Sequence, residues 1–280
     1  MRIIETAEAI RTYRSSLQKE HRTVGLVPTM GALHTGHLSL VEEAQRNCDS
    51  VIVSIFVNPT QFNDPLDLKN YPRTLDEDLK MLAERKVDAV FVPGIHDIYP
   101  HPDIRKFDFG KLEEVMEGKH RPGHFNGVAQ VVSILFDLIH PQMAFFGQKD
   151  YQQLAIIREL VRQLNLRIDI VGCPIIREEN GLAMSSRNRL LTEQERSEAA
   201  LIHDTLRLVI EKKDELSPKK LSMWATRRIN SNPRMKVEYL EIVGTNDLQS
   251  IENWSIPGDK IVCTAVKINS VRLIDNMIFP

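Results

Sequence analysis

Only three cysteines occur in 280 residues, Cys48, Cys173 and Cys263, and no two form a C-x-x-C pair. That spacing gives no disulfide framework and no thiolate zinc cluster, and it fits a reducing compartment. No run of 18 apolar residues is present, so no segment can cross a membrane as a helix. The start, Met1-Arg2-Ile3-Ile4-Glu5, lacks the apolar stretch of a secretory signal. Neither sign of charge is in excess: Lys plus Arg number 36 and Asp plus Glu 38, a formal net charge of −2. Field-driven association with nucleic acid is therefore not expected. Two phosphate-binding fingerprints are also missing. Gly31 and Gly36 have the glycine spacing of a P-loop, but His37 stands where its lysine would be, and no G-x-G-x-x-G occurs. What remains is a soluble, cytoplasmic protein with no membrane and no nucleic-acid partner, built as one large or two modest domains.

Along the chain, short β-branched runs alternate with helical periodicity. Strands are expected at Val24–Val27, Val51–Val57, Ala89–Val92, Met143–Phe146 and Ile168–Val171. Amphipathic helices are expected at Leu38–Asn47, Leu75–Arg85, Val128–Ile139 and Tyr151–Asn165. Thr74-Leu75-Asp76-Glu77 reads as a capping box before the second of these helices. Near-continuous apolar strands separated by helices predict an α/β fold with a parallel sheet covered on both faces. Functional loops should follow the carboxyl ends of its strands, beside the reversal in strand order. After Pro174 the composition changes. A charged, glycine-containing loop (177–189) precedes a capping box at Thr192–Glu195, Pro218 can open a helix, and strands are expected at Val237–Val243 and Ile261–Ile268. The expected division is residues 1–174 as a nucleotide- and substrate-binding domain and 175–280 as a smaller α+β lid domain.

Five segments carry chemistry. The first is Met30-Gly31-Ala32-Leu33-His34-Thr35-Gly36-His37, a strand end, a glycine turn and a helix start. Backbone N–H groups and the dipole favour an anion there. His34 and His37 at three-residue spacing lie roughly 5–6 Å apart, and both can grip one phosphate. At a helix N-terminus they are expected to act as neutral donors or proton carriers. The second is Gly147-Gln148-Lys149-Asp150-Tyr151-Gln152-Gln153, where Asp150 can cap the following helix and Lys149 can offset charge on a triphosphate. The third, Gly181 to Arg189, holds Met184, Ser185, Ser186 and Arg187, two hydroxyls and a guanidinium suited to phosphate. The fourth is Asn58-Pro59-Thr60-Gln61, whose amides suit the hydroxyls and carboxylate of a small polar substrate. The fifth is His120-Arg121-Pro122-Gly123-His124, in which Arg121 is the substrate candidate and the histidines are structural.

Taken in order, VPTMGALHTGH, SIFVNPTQF, YPRTLDEDL, RPGHFNGVAQVV, FFGQKDYQQL, GLAMSSRN and RLIDN (272–276) span nearly the whole chain. In this combination the sequence resembles the pantoate–β-alanine ligase family of the nucleotidyltransferase superfamily. The resemblance implies a Rossmann-like sheet shared with class I aminoacyl-tRNA synthetases, a homodimer, and ATP with Mg²⁺. It implies condensation of (R)-pantoate with β-alanine through a pantoyl adenylate, giving pantothenate, AMP and pyrophosphate. Position by position, it places His34 and His37 on the phosphates, with His37 as proton donor. Gln61 and Gln153 hold pantoate, supported by Asn58. Gly147 to Asp150 bind the nucleotide, with Lys149 on the phosphates and Asp150 towards the ribose. Met184 to Arg187 take the part of the synthetases' KMSKS loop, with Lys149 and Arg187 supplying the charge of its missing lysines. Met30 and Ile176 match further ATP contacts. No protein ligand of Mg²⁺ is assigned; Asp78 is one candidate. Gln148 departs from the Glu of many relatives, and outside RLIDN the carboxyl-terminal part matches loosely. The chief rival is a simple adenylyltransferase, which would make a dinucleotide and need no amine. A tRNA synthetase is disfavoured by the charge balance.

Overall fold

Six short runs become strands: β1 (Arg2–Ile4), β2 (Val24–Thr29), β3 (Ser50–Ile55), β4 (Ala89–Phe91), β5 (Met143–Gly147) and β6 (Asp169–Cys173). All neighbours are parallel, in the order β1-β4-β3-β2-β5-β6, in a computed structural model that describes residues 1–280. Every residue of β3 and all but one of β2 are buried, the mark of a sheet covered on both faces. The connections include helices Ala7–Lys19, Thr35–Asn47, Leu75–Glu84, His124–Ile139 and Tyr151–Gln163. Leu38, Val41 and Ala44 of the 35–47 helix pack with Val27, Val53, Leu82 and Val90. The expected α/β fold is the one adopted. β1 escaped the sequence reading because three residues, of which only Ile4 is buried, carry no periodic signal.

The order of the strands reverses at β2, which has β3 on one side and β5 on the other. β2 was expected to stop at Val27, but it continues through Pro28 to Thr29. The hydrogen bonds explain how a proline is tolerated in a central strand. Gln142 N–H donates to the Val24 carbonyl at 2.9 Å, and Phe56 N–H, just past β3, to the Thr29 carbonyl at 3.1 Å. Backbone direction alternates along a strand, so Val24, Leu26 and Pro28 turn towards β5. The β2–β5 ladder ends at Leu26↔Ala144, whereas β2–β3 pairing runs on to Thr29↔Ile55. Pro28 thus has no N–H on the side where no partner waits.

Two side chains fix the loops that leave this edge. Asp78, 1% exposed on the 75–84 helix, accepts from Ala32 N–H at 2.9 Å and Leu33 N–H at 2.8 Å. Both its oxygens serve the turn, so it anchors the loop rather than offering a carboxylate to a cation. The expected capping box at Thr74 does not form: that hydroxyl donates to Asp78 at 3.2 Å instead of capping the helix. Gly127 lies where the 124–139 helix meets the Pro59–Gln61 turn, and a Cβ there would sit 2.4 Å from the Thr60 carbonyl oxygen.

The chain divides into two compact units. The first comprises Met1–Phe109, Arg121–Gln148 and Gln153–Pro174; the second comprises Gly110–His120, Lys149–Gln152 and Ile175–Pro280. Two short segments of the stretch expected in the first domain therefore belong with the second. That second unit contains an antiparallel sheet of β7 (Met235–Gly244), β8 (Lys260–Ile268) and β9 (Val271–Phe279), with helices Ala200–Glu211 and Pro218–Asn230. Leu206, Leu221, Ile229, Val262, Val266 and Leu273 share its core. The Thr192–Glu195 capping box forms, and Pro218 opens its helix. β9 was not expected, because Asp275 and Asn276 interrupt its apolar alternation.

Both anchors are testable by melts. In an open helix, Gly→Ala gains up to about 1 kcal/mol. At Gly127 the backbone clash should outweigh it, and Gly127→Ala should lower stability by roughly 1–3 kcal/mol. A raised Tm would show that the close approach is unnecessary. Asp78→Asn should lose about 1.5–3 kcal/mol in urea unfolding, because one loop N–H then faces an amide donor.

Candidate active site

His34 is the N-cap of the 35–47 helix, and its Nδ1 accepts from Gly36 N–H at 3.1 Å. A backbone N–H only donates, so Nδ1 is unprotonated and the neutral ring carries its proton on Nε2 as a donor. His37 sits in the first helical turn, its ring centroid 4.1 Å from that of His34 with planes 35° apart. The pair is thus side by side, beyond β2 at the reversal of strand order. Gly31 and Ala32 have φ of +77° and +48°, and a Cβ on Gly31 would crowd Asp78 Oδ2 at 3.0 Å. Gly31, Ala32 and Leu33, expected at the nucleotide, are buried, and Leu33 belongs to the sheet core. Ala32 and Leu33 direct their N–H groups to Asp78, so these three residues shape the loop from inside. Met30, His34, Gly36 and His37 are half-buried and Thr35 is exposed.

The second group in this unit centres on Gln61. Its Nε2 donates to Met30 Sδ at 3.1 Å, and its Oε1 accepts from Asn58 Nδ2 at 3.1 Å. Asn58, 1% exposed, was expected to face substrate. Its amide is instead fully engaged: Nδ2 also donates to the Gly127 carbonyl at 3.0 Å, and Oδ1 accepts from Tyr99 Oη at 2.8 Å. Asn58 therefore orients Gln61. Burial pushes the Tyr99 hydroxyl above its ordinary range, which keeps it a donor at neutral pH. The Gln61 carbonyl accepts from His124 Nδ1 at 2.8 Å and from Arg121 Nη2 at 3.4 Å. His124 is then protonated on Nδ1, and its Nε2 accepts from Arg121 Nη1 at 3.3 Å. Arg121 so braces the Gln61 backbone. Gln153 is half-buried in the same unit, and its side chain makes no hydrogen bond to the protein.

A 3-10 turn (Gln148–Asp150) runs directly into the Tyr151–Gln163 helix, and of this stretch Lys149–Gln152 belong to the second unit. Lys149 is 19% exposed at its side chain, with Nζ 3.7 Å from Asp150 Oδ2, a loose pairing that leaves its hydrogens for other acceptors. Gln152 is buried and spans three backbone groups of the 110–120 segment, accepting from Glu117 N–H and donating to the Leu112 and Val115 carbonyls. The 176–188 loop is held by its own pairing: Met184 N–H donates to the Ile176 carbonyl at 2.9 Å, and Arg177 and Ala183 form an antiparallel bridge. Ser185 caps the next 3-10 turn, its hydroxyl accepting from Arg187 N–H at 3.2 Å. Ser186 is buried and Arg187 half-buried. Asn188 anchors the turn by donating to Glu178 at 2.7 Å and to the Ala183 carbonyl at 3.1 Å.

Several residues that build these groups were not singled out from sequence as positioners: Asp78, Tyr99, Gln152, Arg177, Glu117 and Asp275. Arg272 of RLIDN makes a forked pair with Glu117 at 2.7 and 2.9 Å, and Tyr239 Oη donates to the same carboxylate at 2.9 Å. Burial and then the Glu117 charge hold the Tyr239 hydroxyl well above its ordinary range, so it stays a donor. A polar residue inside an apolar run is the one local signal such groups leave, and it does not name a partner.

Paired imidazoles at a helix start, an oriented amide, and a lysine with a serine- and arginine-bearing turn are what phosphate chemistry on a small polar substrate requires. Comparison with known proteins gives the lineage. The family model described as pantoate-beta-alanine ligase matches residues 2–278. A pantothenate synthetase of Porphyromonas gingivalis is 50% identical over 277 residues, 99% of each chain. The crystal structure of pantothenate synthetase from Thermus thermophilus superposes with a TM-score of 0.91 at 40% identity, covering 99% of both chains. A pantoate-beta-alanine ligase from Francisella tularensis, solved with beta-gamma ATP and beta-alanine, gives a TM-score of 0.83 at 37% identity over 99% of this chain and 97% of that one. The chain belongs to the pantoate–β-alanine ligase family.

Proposed function

We propose that this enzyme, a pantoate–β-alanine ligase using ATP, works through a pantoyl adenylate with the residues described above in defined roles. A pantoate carboxylate oxygen attacks the α-phosphorus of ATP, the bond from that phosphorus to the bridging oxygen breaks, and pyrophosphate leaves. The β-alanine amine then attacks the acyl carbon, the acyl–oxygen bond breaks, AMP leaves, and the amine gives up a proton. An amide cannot form from a free carboxylate at a useful rate, so the activated acyl group is the chemical core of the reaction.

The observation that carries this reading is the His34 tautomer: an Nε2–H donor held beside a second imidazole, at a helix N-terminus beyond the sheet's switch point. Donors fixed before reaction stabilise charge as it develops on the leaving pyrophosphate. His37 is assigned proton donation there. Lys149, Ser185, Ser186 and Arg187 supply donors and positive charge to the same phosphates, Gly147 to Asp150, Met30 and Ile176 bind the nucleotide, and Asp150 takes the ribose. Gln61 presents its NH₂ to a pantoate oxygen, because Asn58 already occupies its Oε1; Gln153 supplies a second amide. The second unit serves as a lid that excludes water from the adenylate. No cluster of three or more His, Cys, Asp or Glu side chains is placed to hold a metal. Mg²⁺ would therefore ride on the triphosphate oxygens and water, where it neutralises charge. A homodimer in the cytoplasm completes the reading.

Pyrophosphate exchange tests the assignment. Labelled pyrophosphate should enter ATP with pantoate alone, while AMP release should require β-alanine. A dinucleotide product formed without amine would indicate a simple adenylyltransferase. His37→Ala should lower kcat by 10²-fold or more, about 2.7 kcal/mol of barrier, with KM for ATP and pantoate changed less than about threefold. A rise in KM alone would remove His37 from the transition state.

A further inference from the structure

We infer that β9 is the positioning strand for the cationic half of the site, with Asn276 acting through Lys149 and Asp275 acting through Arg177 on the Met184–Arg187 loop. This rests on the assignment of Lys149 and Arg187 to the phosphates. Asp275 and Asn276 are 5% and 4% exposed, in a strand whose other buried side chains, Val271, Leu273 and Phe279, are apolar. Burying a carboxylate and an amide costs stability unless each finds partners, and the partners here lie at the site.

Asp275 takes a forked pair from Arg177 at 2.7 and 2.9 Å, and Arg177 also donates to the Gly181 carbonyl at 3.0 Å and the Asn276 carbonyl at 3.3 Å. The start of the Gly181–Arg187 segment is thereby tied to the strand. Gly181 itself has φ of +88°, and a Cβ there would lie 2.4 Å from His203 Nδ1. The loop is thus seated from two sides. Asn276 Nδ2 donates to the Lys149 carbonyl at 2.9 Å, which fixes the backbone from which that ammonium extends. Asn276 N–H donates to Asp275 Oδ1 at 2.7 Å and locks the two neighbours into one arrangement. Lys149 is only loosely paired, its Nζ 3.7 Å from Asp150 Oδ2. Adjacent residues of one strand therefore set the two groups that meet the same developing charge. A strand serving only as scaffold would need no partner on the Lys149 carbonyl.

The test uses the full-length enzyme and separates the half-reactions. Asn276→Ala should slow pyrophosphate formation by about 10- to 100-fold, the range expected for a misplaced catalytic group. KM for pantoate should stay within about twofold, and aminolysis of supplied pantoyl adenylate should be unchanged. In a Lys149→Ala background the same substitution should add less than about twofold, because its effect passes through that lysine. Equal loss in both half-reactions, or full additivity with Lys149→Ala, overturns the positioning role. If Asn276→Ala gives no soluble protein, Asn276→Ser and Arg177→Lys, which keeps the charge but loses the fork, are read by the same two assays. Lys149→Ala with normal pyrophosphate formation would overturn the phosphate assignment and this inference together. Lys149→Ala slow with Asn276→Ala normal overturns the inference alone.

Discussion

The separation of β2 from β5 beyond Leu26 is the constraint on which the first unit's site depends. A parallel ladder continued to the strand ends would close the sheet where its strand order reverses. Pro28, turned towards β5 without an N–H, ends that ladder before β2 itself ends, while the β3 side stays paired to Thr29. The chain leaves the sheet supported on one side only. Its next backbone donors, Ala32 and Leu33, are taken up by the Asp78 carboxylate instead of by a strand. A buried carboxylate thus replaces sheet pairing at the point where the chain must turn into a helix and present two imidazoles. The positive φ values at Gly31 and Ala32 follow from that sharp turn.

Polarity along hydrogen-bond chains then decides which atoms the side chains present. Tyr99 donates to Asn58, and Asn58 donates to Gln61. Burial raises the Tyr99 pKa, so the donor end of this chain persists through neutral pH. Each amide has one acceptor and one donor end, so a fixed donor at Tyr99 propagates to a fixed NH₂ position on Gln61, which donates to Met30 Sδ at 3.1 Å. The same logic sets His34, where the Gly36 N–H selects the tautomer, and His124, where the Gln61 carbonyl selects the opposite one. Two histidines of one unit are neutral in different forms because backbone groups of different sign face them.

Much of this was legible in the sequence, and the division is physical. The six-strand sheet, apart from its three-residue edge strand, could be read because buried parallel strands are apolar throughout and their helices keep a 3.6-residue period. The histidine pair and Lys149 could be named as candidates because they follow strand ends, and Gln61 and Met184–Arg187 because their loops carry amide, hydroxyl and guanidinium groups. Roles that depend on distant partners could not be read. Asn58 looked like a substrate ligand, yet its amide is consumed by Tyr99, Gly127 and Gln61, residues up to 69 positions away in the chain. Asp78 looked like a carboxylate for a cation and is a backbone anchor. Thr74 had the letters of a capping box, but Asp78 one turn on captured its hydroxyl. β9 was hidden by the two polar residues that give it its function.

The buried ion pairs of the second unit are better understood as devices of placement than of stability. Arg177–Asp275 and Arg272–Glu117 are forked, short and largely withdrawn from water. Removing two such charges from water costs several kcal/mol each, and their attraction does little more than return it. Apolar residues of similar volume would serve the core as well. They could not specify an angle, because packing contacts are non-directional, whereas a guanidinium fork meets a carboxylate in one plane. That directionality lets β9, the edge strand of its sheet, fix a loop and a turn instead of adding another strand. It is the kind of order that a site assembled from loops cannot take from hydrophobic burial alone.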